Sequence, residues 1–331
     1  MARIHRSPLI LASSKETLPL SCPALPSHPT LLAVFGHCRD VGPHQRGWGK
    51  TSQRHFQPRG ARFPTTASSG GLAGPLWRML RIHSMSKLRS LVPSPHIAVI
   101  GASGGIGRAF VELLLSGCPT GTIHALSRSP QQSAENLHHH FIDVGREESI
   151  RAAAGAASRD GPLDLVIVAS GVLHRNSELQ PEKSMRALDP QALCEVFRIN
   201  AVGPAVVAKH FLPRLRTGHK TVFAALSARV GSISDNRLGG WASYRASKAA
   251  LNMLLKTLAI EHARRWPDSV IVGLHPGTVD TALSKPFSSR VPVERLFEPS
   301  QSARYLLGVI DDLTPAETGG FFGWDGTPID Y

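Results

Sequence analysis

The sequence predicts an α/β fold built on one doubly wound parallel sheet of about seven strands, with helices on both faces. Two observations indicate this fold. From His96 onward, short apolar runs alternate with amphipathic helical stretches, which is the pattern of strands joined by crossover helices. The strand-like runs are continuously apolar, as expected where both faces of a sheet are covered. With 331 residues, of which 42% are hydrophobic, the chain is long enough for one such domain.

Each element follows from a local pattern. The predicted strands are the runs HIAVIGA, TIHALS, HHHFIDV, DLVIVAS, KTVFAAL, SVIVGLHP and GGFFGWD. The predicted helices cover about residues 108–115, 147–157, 190–215 and 241–265 and the run SARYLLGVIDDL. Asp189 and Pro190 predict the start of the third helix, because Asp is a favoured N-cap and proline suits the first helical position. Pro267 ends the fourth helix. Residues 283–297, after the sixth strand, are expected to form a lid that shapes a pocket.

The positive charge of the chain is concentrated in its first part. Residues 1–95 contain 13 Lys and Arg against Glu16 and Asp40, which accounts for +11 of the formal +13. The remainder is close to neutral, so the sequence argues against a nucleic-acid partner. No apolar run approaches the roughly 18 residues of a membrane helix, and no membrane span is expected.

Residues 1–94 are rich in Pro, Ser, Arg and Gly without sustained periodicity, which predicts a disordered basic leader before a folded domain over residues 95–331. Three interpretations stay open: a transit peptide, an interaction arm, or upstream sequence before a true start at Met79 or Met85. We favour the third, because the segment is long for a transit peptide. The four cysteines show no metal-ligand or disulfide framework, which predicts a cytoplasmic protein. A genuine transit peptide would instead direct it to mitochondria or plastids.

A glycine-rich turn follows the first strand. It runs from Gly101 to Gly107 and reads GASGGIG, with a further glycine at Gly105. Glycine lets the backbone turn sharply and approach a pyrophosphate, and the helix that follows offers its free N–H groups to an anion. The spacing differs from the general GxGxxG motif. Its place after the first strand nevertheless predicts a Rossmann-type dinucleotide site.

The end of the second strand indicates which dinucleotide is bound. NAD-binding domains of this kind carry an acidic residue there for the ribose 2′-hydroxyl. Here the strand ends in Ser127-Arg128, and a guanidinium and a hydroxyl suit a 2′-phosphate. The sequence therefore predicts NADP(H) rather than NAD(H).

A tyrosine and a lysine are the first members of a row of residues that share one face of a predicted helix. Tyr244 and Lys248 continue at helical spacing into Leu251, Leu255 and Leu258, so the face that carries them should lie against the sheet. A free tyrosine has a pKa of about 10. A neighbouring ammonium favours the phenolate and lowers that pKa, which would suit Tyr244 to proton transfer at a carbonyl oxygen.

The turn GASGGIG, the run YRASK and the segment HPGTVDT after the sixth strand together resemble the short-chain dehydrogenase/reductase family. The resemblance covers about residues 96–331. Within the family, LSARVGSISDN and the ending FFGWDGTPIDY look most similar to the sniffer and C-factor-type carbonyl reductases.

The resemblance implies specific roles. Tyr244 would be the acid/base, Lys248 would bind the nicotinamide ribose, and Asn200 would hold a proton-relay water. The implied cofactor-binding residues are Gly101, Ser103, Gly105, Ile106, Gly107, Ser127, Arg128, Asp143, Val144, Ala169, Gly171, Lys248, Pro276, Gly277, Val279 and Thr281.

Two positions depart from the family pattern. The NNAG run after the fourth strand is replaced by Ala169-Ser170-Gly171, which removes an asparagine that braces the sheet. The second serine of Ser-Ser-x-x-Gly, which orients the substrate carbonyl, is here an alanine. Ser227 takes that role with a shifted loop, or Ser232 takes it, or the function of this serine is reduced; we assign the role to Ser227.

The sequence therefore predicts an NADP(H)-dependent oxidoreductase that transfers a hydride between the cofactor and a small carbonyl or alcohol. The alternative is a non-catalytic, nucleotide-binding signalling or interaction protein on the same fold. No metal is expected, because consecutive histidines such as His138, His139 and His140 point to opposite faces of a strand. Family analogy implies a homodimer or homotetramer.

Overall fold

Seven parallel strands form the central sheet of the computed structural model, which describes residues 88–289 and 292–331. The strand order is β3-β2-β1-β4-β5-β6-β9. The strands are β1 His96–Ile100, β2 Thr122–Ser127, β3 Leu137–Phe141, β4 Leu165–Val168, β5 Thr221–Leu226, β6 Ser269–His275 and β9 Phe321–Gly323. A separate parallel pair is formed by β7 Thr278–Val279 and β8 Leu296–Phe297.

Helices cover both faces of the sheet. They are α1 Gly105–Gly117, α2 Glu147–Ala157, α3 Pro190–Phe197, α4 Gly203–Phe211, α5 Ala242–Ala263 and α6 Pro299–Asp312. On one face, Phe110 and Leu306 from α1 and α6 pack over the strands. On the other face, Ile150, Phe211 and Leu255 from α2, α4 and α5 do the same. The predicted fold class is confirmed.

The predicted helix over residues 190–215 is interrupted. Asp189 caps α3, accepting a hydrogen bond from Ala192 N at 2.7 Å. A wider π turn, Arg198–Val202, then separates α3 from α4, and Gly203 N donates to the carbonyl of Arg198. Pro204 has no N–H and cannot bond the carbonyl four residues before it, which explains why the regular helix is disturbed here.

The start of α1 and the presence of two short strands also differ from the prediction. The helix expected over residues 108–115 already begins at Gly105, because the last part of the glycine turn forms its first turn. The short strands β7 and β8 were not predicted, since two-residue strands leave no periodicity to recognise.

Residues 88–94, which the sequence placed in the leader, pack against the domain. Leu91 is buried, and Lys220 Nζ donates to Ser90 Oγ at 2.8 Å. All of the described residues belong to one compact unit. The prediction of a disordered leader, with its alternative starts Met79 and Met85, otherwise falls on residues 1–87, which lie outside the described residues.

Over residues 88–289 and 292–331, no helix combines the length and the apolar character needed to cross a membrane. In the same part of the chain, the His, Cys, Asp and Glu side chains form no group of three or more suited to a metal ion.

Candidate active site

A groove of about 570 Å³ opens at the carboxyl ends of β1, β2 and β4. Ligands of doubly wound sheets bind at this edge. Eight of the predicted cofactor residues line the groove: Gly101, Ser103, Ser127, Arg128, Asp143, Val144, Ala169 and Gly171.

The glycine turn forms a cradle that side chains would fill. Gly101 has φ +85, and a Cβ there would lie 2.7 Å from the amide nitrogen of Ser170. A Cβ on Gly107 would collide with the carbonyl oxygen of Gly101. The first turn of α1 contains no acidic residue, so its positive end and free N–H groups suit an anion. These features fit the pyrophosphate of a dinucleotide.

The end of β2 combines a buried hydroxyl with an exposed guanidinium. Ser127 Oγ accepts a hydrogen bond from Ser129 N at 3.2 Å, and Arg128 reaches the groove from the next position. At the end of β3, Asp143 Oδ1 accepts from Gly145 N at 2.9 Å. Asp143 therefore shapes its own turn as well as lining the groove.

Tyr244 and Lys248 lie on the first two turns of α5. Lys248 is buried, its Nζ donates to the carbonyl of Leu226 at 2.8 Å, and this nitrogen lies 5.8 Å from the centre of the Tyr244 ring. Burial raises the pKa of Tyr244 to about 12 and lowers the pKa of Lys248 to about 8. The sequence predicted a lowered tyrosine pKa. In this structure desolvation, which disfavours the phenolate, sets the direction instead.

Asn200 lies in the π turn and is fully buried. Its Oδ1 accepts from Val172 N at 2.8 Å, and its Nδ2 donates to the carbonyl of Val172 at 2.8 Å and to Ser247 Oγ at 3.2 Å. A Cβ on Gly171 would lie 3.5 Å from Asn200 Oδ1 and 3.8 Å from Lys248 Nζ. The predicted Asn, Lys and Gly positions therefore converge at one point.

The segment after β6 folds back over the glycine turn. Gly277 has φ +78, where a Cβ would lie 2.7 Å from the Phe297 ring, and Pro276 accepts from Ser302 Oγ at 2.8 Å. A Cβ on Gly105 would lie 2.8 Å from the methyl group of Thr281. The other predicted positions here are packed rather than in the groove: Ile106 against the core and Val279 within a small aromatic cluster.

The sequence profile of the short chain dehydrogenase family matches residues 95–291. The chain belongs to this family. C-signal of Myxococcus xanthus is 34% identical over 171 residues, 52% of this chain and 94% of C-signal. NADPH-bound carbonyl reductase from chicken fatty liver has a TM-score of 0.64 at 25% identity, over 74% of this chain and 98% of that one. Carbonyl reductase Sniffer of D. melanogaster gives 0.62 at 23% identity, over 72% and 100%.

These similarities confirm the predicted resemblance, and the chain is an oxidoreductase of the short-chain dehydrogenase family. Members of this family bind a nicotinamide cofactor. The glycine cradle, the amino end of α1 and the groove beside Arg128 fit such a cofactor.

The serine that short-chain dehydrogenases place beside the tyrosine is not evident. Ser227 Oγ donates to Asn252 Oδ1 at 2.6 Å and is buried. A hydroxyl has one proton to donate, so with the Asn252 amide in this orientation Ser227 has none left for a substrate carbonyl. In the same orientation Asn252 Nδ2 is buried without a hydrogen-bond partner among the described residues. Ser232 Oγ accepts from Asp235 N at 3.2 Å and lies 3.2 Å from Ser234 Oγ. Ser232 keeps its own proton if Ser234 donates in that contact.

The missing asparagine after β4 leaves a trace. The side chain of Ser170 occupies one position of that family motif, and its buried hydroxyl has no hydrogen-bond partner among the described residues. An unpaired buried hydroxyl carries a free-energy cost. The bonds from Asn200 to Val172 hold the same loop from the other side.

Several residues of the site were not predicted. The groove is also lined by Ser170, His174, Arg175, Glu195 and Arg198. Arg175 pairs with Glu195 at 2.7 Å across the groove wall. Arg198 could have been found from the sequence, because it lies two residues before Asn200, which the sequence identifies as a site residue. His174 lies in a loop whose path no sequence pattern indicates.

Proposed function

We propose that the chain is an NADP(H)-dependent oxidoreductase that interconverts a small carbonyl compound and its alcohol. The observation that carries the proposal is the Tyr244/Lys248 pair, a partly buried phenol beside a buried ammonium at the same end of the sheet as the glycine cradle. Among the described residues neither side chain caps a helix end or forms an ion pair, so ordinary stability does not account for burying an ammonium beside the phenol.

When bound, the nicotinamide supplies or accepts the hydride. Tyr244 would donate its phenolic proton to the carbonyl oxygen, because burial keeps the phenol protonated at neutral pH. Lys248 would stabilise the phenolate left behind. Its Nζ can also return a proton, since burial lowers the pKa of this ammonium to about 8. Asn200 would keep the loop after β4 in place against α5 through Val172 and Ser247.

Arg128 supports NADP(H) over NAD(H). Its guanidinium is exposed at the groove, and neither Ser127 nor Arg128 at the end of β2 is an acidic residue. A carboxylate at this place would repel a 2′-phosphate, whereas a guanidinium forms charge-assisted hydrogen bonds with it.

The test is a single-atom change in the tyrosine. Tyr244→Phe should retain NADPH binding, measured by fluorescence titration, and lose nearly all NADPH oxidation with a panel of aldehydes and ketones. Tyr331→Phe is the matched control, because Tyr331 donates to the carbonyl of Gly319 at the far end of the chain. Substantial residual turnover by Tyr244→Phe would overturn the assignment.

The second candidate, a non-catalytic nucleotide-binding signalling protein, is favoured by one observation. Ala228 occupies the second serine position, and the Ser227 hydroxyl is bonded to Asn252. Tight NADPH binding without cofactor oxidation by any carbonyl compound would support this candidate. Turnover by the wild-type chain would eliminate it.

We also propose self-association through the outer face of the π turn Arg198–Val202 and of α5. Val202, Met253 and Ile260 are half or more exposed there, and seven residues separate Met253 from Ile260, which places them on one helix face. Light scattering should show a dimer or tetramer. Cytoplasmic residence remains our prediction, which imaging of the full chain would test against mitochondrial or plastid targeting.

A further inference from the structure

Four aromatic rings from three segments of the chain form a continuous row. His174 lies in the loop after β4, Phe287 in the lid turn Lys285–Phe287, Trp241 just before α5, and Tyr244 on α5. Ring centres are 5.6 Å apart between His174 and Phe287, 5.0 Å between Phe287 and Trp241, and 6.4 Å between Trp241 and Tyr244. All three pairs meet edge to face, at 71°, 64° and 77°.

The row borders a site rather than the core. Trp241 and Phe287 belong to none of the hydrophobic core clusters formed by the described residues. All four side chains are only partly buried. One end of the row, His174, lines the cofactor groove, and the other end is the residue that we assign to proton transfer.

Trp241 is held in an unfavourable backbone conformation. Its φ of +53 lies in the left-handed region, which costs conformational energy for a side chain of this size. Both of its backbone groups are engaged: its N–H donates to the carbonyl of Glu182 at 2.6 Å, and its carbonyl accepts from Arg245 N at 2.8 Å. A strained residue persists where its surroundings fix it, and such residues are concentrated at functional sites.

The lid is attached at two points of the row. Phe287 contacts both His174 and Trp241, and His174 Nε2 lies 3.1 Å from the carbonyl oxygen of Ala282. The lid turn therefore rests on one ring from the loop after β4 and one ring at the start of α5. The four side chains keep part of their surface exposed. A partly exposed aromatic ring accepts a further flat ring at favourable geometry, whereas a puckered or linear chain makes fewer such contacts.

We infer that Trp241 and Phe287 are specificity-determining residues that select flat, ring-conjugated carbonyl compounds over saturated ones of similar size. This inference rests on the proposed carbonyl chemistry of Tyr244. The rings orient the substrate and do not take part in proton transfer.

The experiment compares benzaldehyde with cyclohexanecarbaldehyde, which carry a flat and a puckered six-carbon ring. The readout is kcat/KM for benzaldehyde divided by kcat/KM for cyclohexanecarbaldehyde, both with NADPH. Because the intrinsic reactivities of the two aldehydes are the same for every protein, they cancel when this ratio is compared between proteins. Trp241→Leu and Phe287→Leu should each lower the ratio by about two- to tenfold, the equivalent of one aromatic contact. Trp241→Phe should restore most of it.

Trp266→Leu is the matched control, because Trp266 stacks on His262 at the other end of α5; its ratio should equal that of the wild type. NADPH titration shows that each variant is folded. Turnover with an unchanged ratio in both Leu variants would overturn the inference and leave the proposed function intact. No turnover by the wild-type chain with either aldehyde or with any member of the wider panel of aldehydes and ketones would overturn both.

Discussion

Acid should destabilise the sheet edge formed by β2 and β3 through one buried histidine. His124 on β2 is 2% exposed, and its Nδ1 lies 3.0 Å from Nε2 of His140 on β3. His138 stacks on it at 5.5 Å and His96 of β1 lies at 6.2 Å between ring centres. Burial, followed by the charges of His140, His138 and His96, lowers the pKa of His124 to about 3. Nε2 of His124 is buried without a partner.

The sign follows from the two pKa values. The unfolded chain protonates this imidazole below about 6.5, and the folded chain only near 3, so stability is present above 6.5 and falls as the pH decreases from there towards 3. Each pH unit in this window removes about 1.4 kcal/mol per proton. From pH 7 to pH 5 we expect His124 to remove about 2 kcal/mol of unfolding free energy.

The assay is urea unfolding at pH 7, 6 and 5, followed by far-UV circular dichroism. Wild type should lose about 2 kcal/mol more between pH 7 and pH 5 than His124→Leu, whatever the offset between the proteins at pH 7. The other titrating groups of the cluster, His96, His138 and His140 with the nearby Arg159, are common to both proteins. His139→Leu, on the opposite face of β3, should behave as the wild type does. Equal losses in wild type and His124→Leu would refute the reasoning.

Two further predictions concern the cofactor and the site. Arg128→Ala should raise KM for NADPH tenfold or more, which is about the contribution of one charge-assisted hydrogen bond, and should leave KM for NADH nearly unchanged. Steady-state kinetics with both cofactors measures the two KM values. A parallel rise in KM for both cofactors would contradict the assignment. Asn200→Ala leaves both backbone groups of Val172 without their partner, so we expect a loss of about 1–3 kcal/mol in urea unfolding together with a lower kcat. Unchanged stability would show that the amide does not hold this loop.

The features that the sequence predicts correctly depend on neighbouring residues. The capping of α3 by Asp189, the glycine turn and the Tyr/Lys spacing are all set within one or two helical turns, where short-range geometry is fixed. The position of Arg128 at the groove follows from the end of a single strand. Local patterns were sufficient for these.

The features that it misses depend on register and on contacts between distant segments. The histidines of β3 were expected on alternate faces, and they are, but the sequence does not show that His124 lies opposite His138 in the neighbouring strand. Likewise, no local signal indicates that Asn252, 25 residues away, accepts a hydrogen bond from the Ser227 hydroxyl. Side-chain partners across the fold decided both outcomes.

The π turn Arg198–Val202 sets the rotational phase of the helices on either side of it. A π turn contains one more residue than the α-helical turn that it replaces, and each residue rotates a helix by about 100°. Deleting one residue from this turn would restore regular winding and swing Asn200 away from Val172, even with every side chain of the site unchanged. The hydrogen bonds between Asn200 and Val172 therefore depend on the number of residues in the turn as much as on the asparagine itself.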